Sequence, residues 1–152
     1  MRCLRVYADT SVFGGCFDPE FRVASEAFFR QVQAGRFALV IAAVVLRELD
    51  SAPGHVQEML AQLPKENVET IELSEEVRRL RDAYVEMRVV GPASVDDAEH
   101  VASASVAGVD LFLSWNFKHI VRFDKITGFQ AVNMLCGYRP IAIHSPREVV
   151  EI

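Results

Sequence analysis

Residues Phe37 to Ala42 read Phe-Ala-Leu-Val-Ile-Ala, six apolar positions with no polar alternation. A strand of that pattern needs both faces covered, which is the situation in a parallel sheet with helices above and below. Leu4 to Ala8 (Leu-Arg-Val-Tyr-Ala) and Asp110 to Trp115 (Asp-Leu-Phe-Leu-Ser-Trp) read as two more buried strands. Val68 to Leu73 adds a short strand and Ile141 to Ile143 the final one. Between them lie helical stretches. Asp18-Pro19 opens a helix to about Ala34, with Asp as cap and Pro at the first helical position. Its apolar residues Phe21, Ala24, Phe28 and Val32 recur at helical spacing, and Gly35 stops it. Gly14-Gly15 breaks the pattern before it. Further helices are expected from Ala43 to about Ser51, from His55 to Leu63, from the Ser74 cap to about Arg88, and from Ser94 or Asp96 through Val106. A last one runs from about Lys125 to Leu135. Strands alternating with helices predict an α/β fold with a mostly parallel sheet. The 152 residues suit one domain, 1–152, without repeat or linker.

Charge and cysteines narrow the function. A net charge of −5, from 21 acidic and 16 basic residues, argues against the broad basic surface of a non-specific nucleic-acid binder. It leaves a nuclease open, because bound metal changes the local charge of an acidic site. Cys3, Cys16 and Cys136 are scattered and form no Cys-x-x-Cys pair, so zinc and disulfide frameworks are not indicated. They read as buried reduced thiols. No apolar run reaches the roughly 18 residues of a membrane span. The chain enters its first strand directly, without a leader pattern. A cytoplasmic protein is expected.

In parallel sheets ligands bind beyond the carboxyl ends of the strands. Asp9 follows the first strand, Glu48 lies on the helix after the second, and Asp96 and Asp97 open the helix before the strand that Asn116 follows. Asp110 precedes that strand. Clustered carboxylates repel one another. A hard divalent cation relieves this, and Mg²⁺ uses one or two carboxylates with several waters. Such an ion acidifies water and stabilises charge on phosphoryl oxygens, which suggests phosphodiester hydrolysis. Simpler roles stand beside these: Asp9 capping a turn, Glu48 as a solvated helix residue, Asp96 and Asp97 as helix N-terminal acids, and Asp110 in a turn. His100, three positions after Asp97, reads first as a surface histidine and second as a phosphate contact. His55 and His144 have no identifiable partner. In Trp115-Asn116-Phe117-Lys118-His119, Lys118 and His119 suit a nucleic-acid backbone and the aromatics suit base stacking. The plainer reading puts Trp115 in the core and Lys118 in solvent. No glycine-rich nucleotide loop is present.

These segments resemble a known family. Val6-Tyr7-Ala8-Asp9-Thr10-Ser11-Val12-Phe13-Gly14-Gly15 looks like the first motif of PIN-domain ribonucleases, which include the VapC-type toxins of toxin–antitoxin pairs. Val45-Leu46-Arg47-Glu48-Leu49 matches the second acid of the family. Asp97-Ala98-Glu99-His100-Val101-Ala102 is similar to the third motif, and its register favours Asp97 over Asp96. Asp110 through His119 is similar to the fourth. The resemblance spans about residues 4 to 144. It implies a Rossmann-like three-layer α/β/α domain with four or five parallel strands, Mg²⁺ or Mn²⁺ in an acidic pocket, and endoribonuclease activity. It further implies a homodimer and an antitoxin protein that blocks the site. The catalytic set is then Asp9, Glu48, Asp97 and Asn116, and the metal ligands are Asp9, Asp97, Glu48 and Asp110. Thr10, Ser11, His100, Lys118 and His119 become the candidate substrate contacts. Members often carry Asp where this chain has Asn116, a neutral ligand that lowers the site's charge, with Asp110 as the candidate replacement. The alternative is a module that kept the fold for RNA or protein binding without catalysis.

Overall fold

The computed structural model describes residues 3–150, so positions 1–2 and 151–152 of the expected domain lie outside the described residues. Five strands build one sheet: β1 (Leu4–Ala8), β2 (Phe37–Ala42), β3 (Val68–Ile71), β4 (Leu111–Leu113) and β5 (Ile143–His144). Their order is β3-β2-β1-β4-β5 and every neighbouring pair is parallel. Val6, Tyr7 and Ala8 point alternately to opposite faces, and all three are buried, as are Leu39 to Ala42. Both faces of the central strands are therefore covered, as the unbroken apolar runs require. The fold is the α/β architecture with a parallel sheet that the alternating strands and helices predict.

The cover comes from α1 (Thr10–Gly15), α2 (Arg22–Gln33), α3 (Ala43–Asp50), α4 (Gly54–Ala61), α5 (Glu75–Glu86), α6 (Val95–Ala107) and α7 (Phe123–Leu135). Ser74 caps α5 by accepting from the Val77 amide at 3.2 Å. Gly108 ends α6 with φ of 67°, a left-handed conformation that suits glycine. Among the described residues no helix is long and apolar enough to cross a membrane.

Several expectations shift. Residues 10–15 form α1 rather than a loop, because the Asp9 side chain caps it and its two glycines fall in the last turn. The helix expected from Asp18 begins instead at Arg22. Asp18 uses its carbonyl for the Phe21 and Arg22 amides and its carboxylate for the Glu20 amide, which makes Pro19 part of a turn. The last strand starts at Ile143, since the Ile141 carbonyl accepts from Gln130 Nε2 at 3.0 Å. The three cysteines are free, but only Cys16 is buried. Burial, aided by Glu26, pushes its thiol up to about 12. Cys3 and Cys136 are exposed, against the expectation of buried thiols.

The order of strands places the site. From β1 the chain moves to β2 on one side, and later reaches β4 on the other. The crevice beyond the carboxyl ends of β1 and β4 is the topological switch point, where open α/β sheets bind ligands.

Candidate functional site

Asp9 is the first residue past β1 and is 4% exposed. Its Oδ1 accepts from the Ser11 amide at 3.1 Å and from the Ser11 hydroxyl at 2.5 Å. Its Oδ2 accepts from the Ser114 hydroxyl at 2.5 Å. Ser114 stands just past β4, across the switch point. One carboxylate thus caps α1 and ties the ends of the two central strands together.

Glu48 reaches the same edge from α3. Its Oε1 accepts from Thr10 Oγ1 at 2.6 Å and from His100 Nε2 at 2.6 Å. Asp97 comes from the first turn of α6, and its Oδ1 accepts from Asn116 Nδ2 at 3.2 Å. The orientation of the Asn116 amide follows from its other bond: Oδ1 accepts from the His119 backbone N–H at 2.9 Å, so the nitrogen must face Asp97. Asp96 turns away and pairs with Arg47 at 3.3 Å on the surface. Glu99, on the same helix, is buried between Arg81 at 3.1 Å and Arg47 at 3.4 Å. That network anchors α6 to α3 and α5.

The structure brings together Asp9, Glu48, Asp97, Asn116, Thr10, Ser11 and His100. It corrects His100 from a surface residue to a buried one, 2% exposed. The reason is that α6 is buried continuously from Ala98 to Ala104, so position 100 faces inward. Its Nδ1 meets the Tyr7 hydroxyl at 2.8 Å, and the two rings meet edge to face. Thr10 and Ser11 spend their hydroxyls on Glu48 and Asp9, so they orient acids. Lys118 is exposed and His119 half-buried in the turn after Asn116.

Asp110 is not brought to this edge. Leu111 pairs with Val6 in parallel register, so Asp110 lies at the amino end of β4 and accepts from the Arg5 amide at 2.8 Å. It supplies no charge at the switch point. Two participants escaped the sequence reading, Ser114 and Tyr7. Ser114 is the one small polar residue between apolar β4 and Trp115, and the apolar run around it makes it read as part of the strand.

Electrostatics separate the acids. Burial raises Asp9 above its usual value, against the charge of His100 and the bonds from Ser11 and Ser114, with Glu48 adding to the rise. Burial also raises Asp97, with Asp9 and Glu48 repelling it and His100 and His119 opposing. Burial works to raise Glu48 too, but the His100 hydrogen bond and charge, Thr10 and Arg47 outweigh it and hold it low. His100 shows the mirror case: burial lowers it, while Glu48, Asp9 and Asp97 together raise it.

A raised Asp9 means that the folded state holds the proton more tightly than the unfolded chain. Its contribution is favourable below the unfolded value near 3.8 and is lost as pH rises through the folded value. Asp9→Asn removes that penalty. The metal-free variant is therefore expected to gain stability relative to wild type as pH rises toward 7. The gain should shrink toward pH 4, and thermal melts at the two pH values test it. A stability difference that does not move in the variant's favour from pH 4 to pH 7 contradicts the argument.

The donor set suits a hard divalent cation in type: three carboxylates, two of them raised by burial, while Asn116 turns its amide N–H to Asp97. Among the described residues no three His, Cys, Asp or Glu side chains converge on one point. Mg²⁺ does not require that, since one or two carboxylates and retained waters suffice. Asp97 and Glu48, both half-buried, are the acids that solvent reaches.

No protein-family model and no curated protein sequence matches the chain. Its fold matches solved structures. A toxin–antitoxin complex from Klebsiella pneumoniae is 16% identical at a TM-score of 0.57, covering 79% of this chain and 93% of that one. FitAcB from Neisseria gonorrhoeae is 14% identical at a TM-score of 0.60, covering 95% of this chain and 99% of that one. VapBC2 from Rickettsia felis, bound to a DNA fragment from its promoter, is 11% identical at 0.57, covering 93% and 98%. At these identities the likeness concerns the fold, and that fold is the PIN type which the sequence motifs resemble.

Proposed function

We propose that this chain is a metal-dependent endoribonuclease of the toxin type. The observation that carries the reading is the meeting of Asp9, Glu48 and Asp97 at the β1–β4 switch point, from segments far apart in sequence. Burial and mutual repulsion leave Asp9 and Asp97 harder to ionise than usual, a cost that a bound cation removes. Asp97 and Glu48, the acids that solvent reaches, would hold Mg²⁺ or Mn²⁺, with Asp9 buried behind them. That ion, when bound, supplies charge for the phosphoryl oxygens and a more acidic water. The protein's own part is positioning. Ser11 and Ser114 fix Asp9, Thr10 and His100 fix Glu48, and Asn116 fixes Asp97. Lys118, exposed beside Asn116, offers a cation to the RNA backbone.

The structures that share the fold include a toxin–antitoxin complex, which supports a protein antitoxin as partner here. A homodimer and a cytoplasmic location go with the same reading, and light scattering of the purified chain tests the first. Cleavage is tested with varied RNAs and Mg²⁺ or Mn²⁺. Wild type is expected to cut and Asp9→Asn to lose at least about 100-fold in rate, as removal of a group in the reacting shell does. No cleavage by wild type, or equal cleavage by the variant, would sink the catalytic claim. The second reading is a non-catalytic binding module, which the neutral Asn116 favours. Calorimetry with Mn²⁺ separates the two, since the module needs no cation.

A further inference from the structure

Beside the acids lies a space the mechanism does not use. Gly14, Gly15, Phe21 and Trp115 wall a recess of about 360 Å³ that shares Ser11 and Asn116 with the acidic cluster. Its aromatic wall is fixed in place: Trp115 is buried, 6% exposed, beneath Phe21 and Arg147, so the accessible ring surface is that of Phe21 and Phe117. Phe21 stacks on Trp115 with ring centroids 4.2 Å apart and planes 19° apart. The indole N–H donates to Ser25 Oγ at 2.8 Å, and the Arg147 guanidinium sits 5.5 Å from the indole ring centre. Phe117 extends the aromatic surface and is 46% exposed. Gly15 packs directly against the edge of the indole, and Gly14, with open space where a Cβ would stand, leaves the rim beside it clear.

Aromatic rings combined with a nearby cation form the common platform for single-stranded nucleic acid, because every base has a face to stack. The recess is also at the right place. Asn116, on its rim, bonds directly to Asp97. A strand with a phosphate at the acids therefore brings a neighbouring base to the recess. Asp18, also on the rim, repels phosphate, so the uncharged base rather than the backbone suits the space. We infer that this recess is a nucleobase pocket, taking one unstacked base of single-stranded RNA next to the phosphate held at the acidic cluster. The inference rests on the ribonuclease reading.

Two features make it testable. Trp115 is the sole tryptophan of the chain, so its fluorescence reports on the recess alone. A Cβ added at Gly14 meets nothing within 4 Å, so Gly14→Leu adds bulk at the wall of the recess without a clash at its Cβ. The experiment titrates 2′-O-methyl RNA hexamers of varied sequence into the protein with Mn²⁺ present, following Trp115 emission and the polarisation of an end label. Binding should change Trp115 emission, and Gly14→Leu should weaken binding by about 5- to 150-fold, the worth of one stacked base. An abasic position walked along the hexamer should weaken wild type by a similar factor at one step, and should add nothing in Gly14→Leu. If that variant does not fold, the abasic walk on wild type decides alone. RNA bound with unchanged emission and no sensitive step overturns the pocket, while cleavage by wild type leaves the ribonuclease reading intact. If wild type neither binds nor cuts RNA, both fall. Emission that responds to a protein partner and not to RNA overturns the pocket as well.

Discussion

Gly15→Ala is expected to destabilise the fold by about 2–4 kcal/mol, as an overpacked and disrupted core position does. A Cβ at this position would collide with Ser25 Oγ and would lie 2.7 Å from Trp115 Nε1 and 2.9 Å from Trp115 Cδ1. These atoms cannot swing aside. Ser25 is fully buried on α2, and Trp115 is held between Phe21 and the hydrogen bond to Ser25. Relief requires breaking that bond and leaving a buried indole N–H unpaired, worth about 1–3 kcal/mol by itself. For a chain of this size the midpoint of thermal unfolding should fall by roughly 5–15 °C. Ser25→Ala in the same chain should restore only part of the loss, because the indole contact remains. Cleavage should fall too, since α1 carries the Asp9 cap at one end and Gly15 at the other. Thermal melts and Trp115 emission measure the first effect. An unchanged midpoint would mean that α1 and the indole do not pack as closely as described.

The same close approach explains what the sequence reading found and what it missed. Asp9, Glu48 and Asp97 were legible because strand ends in a parallel sheet are positions in sequence, and apolar runs mark them. Asp110 was misplaced for the converse reason. A residue preceding a parallel strand lies at the edge away from the site, however near it is to Asn116 in sequence. Helix α1 was hidden because Gly14-Gly15 reads as a breaker. Only the packed indole shows that Gly15 is there to make room. His100 was hidden because α6 is rich in alanine and serine, which mark no face clearly, and its burial depends on α3, α5 and the sheet together.

His100→Leu is expected to lower Mn²⁺ affinity by about 10- to 100-fold, the usual effect of removing a partner that orients a metal-binding group. The imidazole joins Tyr7 to Glu48 through bonds of 2.8 and 2.6 Å. With Glu48 ionised, Nε2 carries a hydrogen in both protonation states of the ring, so the bond to Glu48 does not depend on which state is present. Thr10 and His100 both bond to Oε1, leaving Oε2 outside both bonds. A glutamate free to turn loses about 1.5–2 kcal/mol of rotamer entropy when it is fixed, and here part of that loss is met before any ion arrives. Leucine keeps volume at position 100 but releases Glu48 and strands the buried Tyr7 hydroxyl. Stability alone therefore does not isolate the positioning role. His100→Gln keeps an amide N–H directed at Glu48 and should retain more affinity than leucine. Tyr7→Phe removes the ring's anchor without touching Glu48 and should lie between wild type and His100→Leu. Calorimetry with Mn²⁺ on variants confirmed folded by circular dichroism gives the ranking. Equal affinity for wild type and His100→Leu would show that Glu48 is placed by Thr10 alone, or that it does not hold the ion.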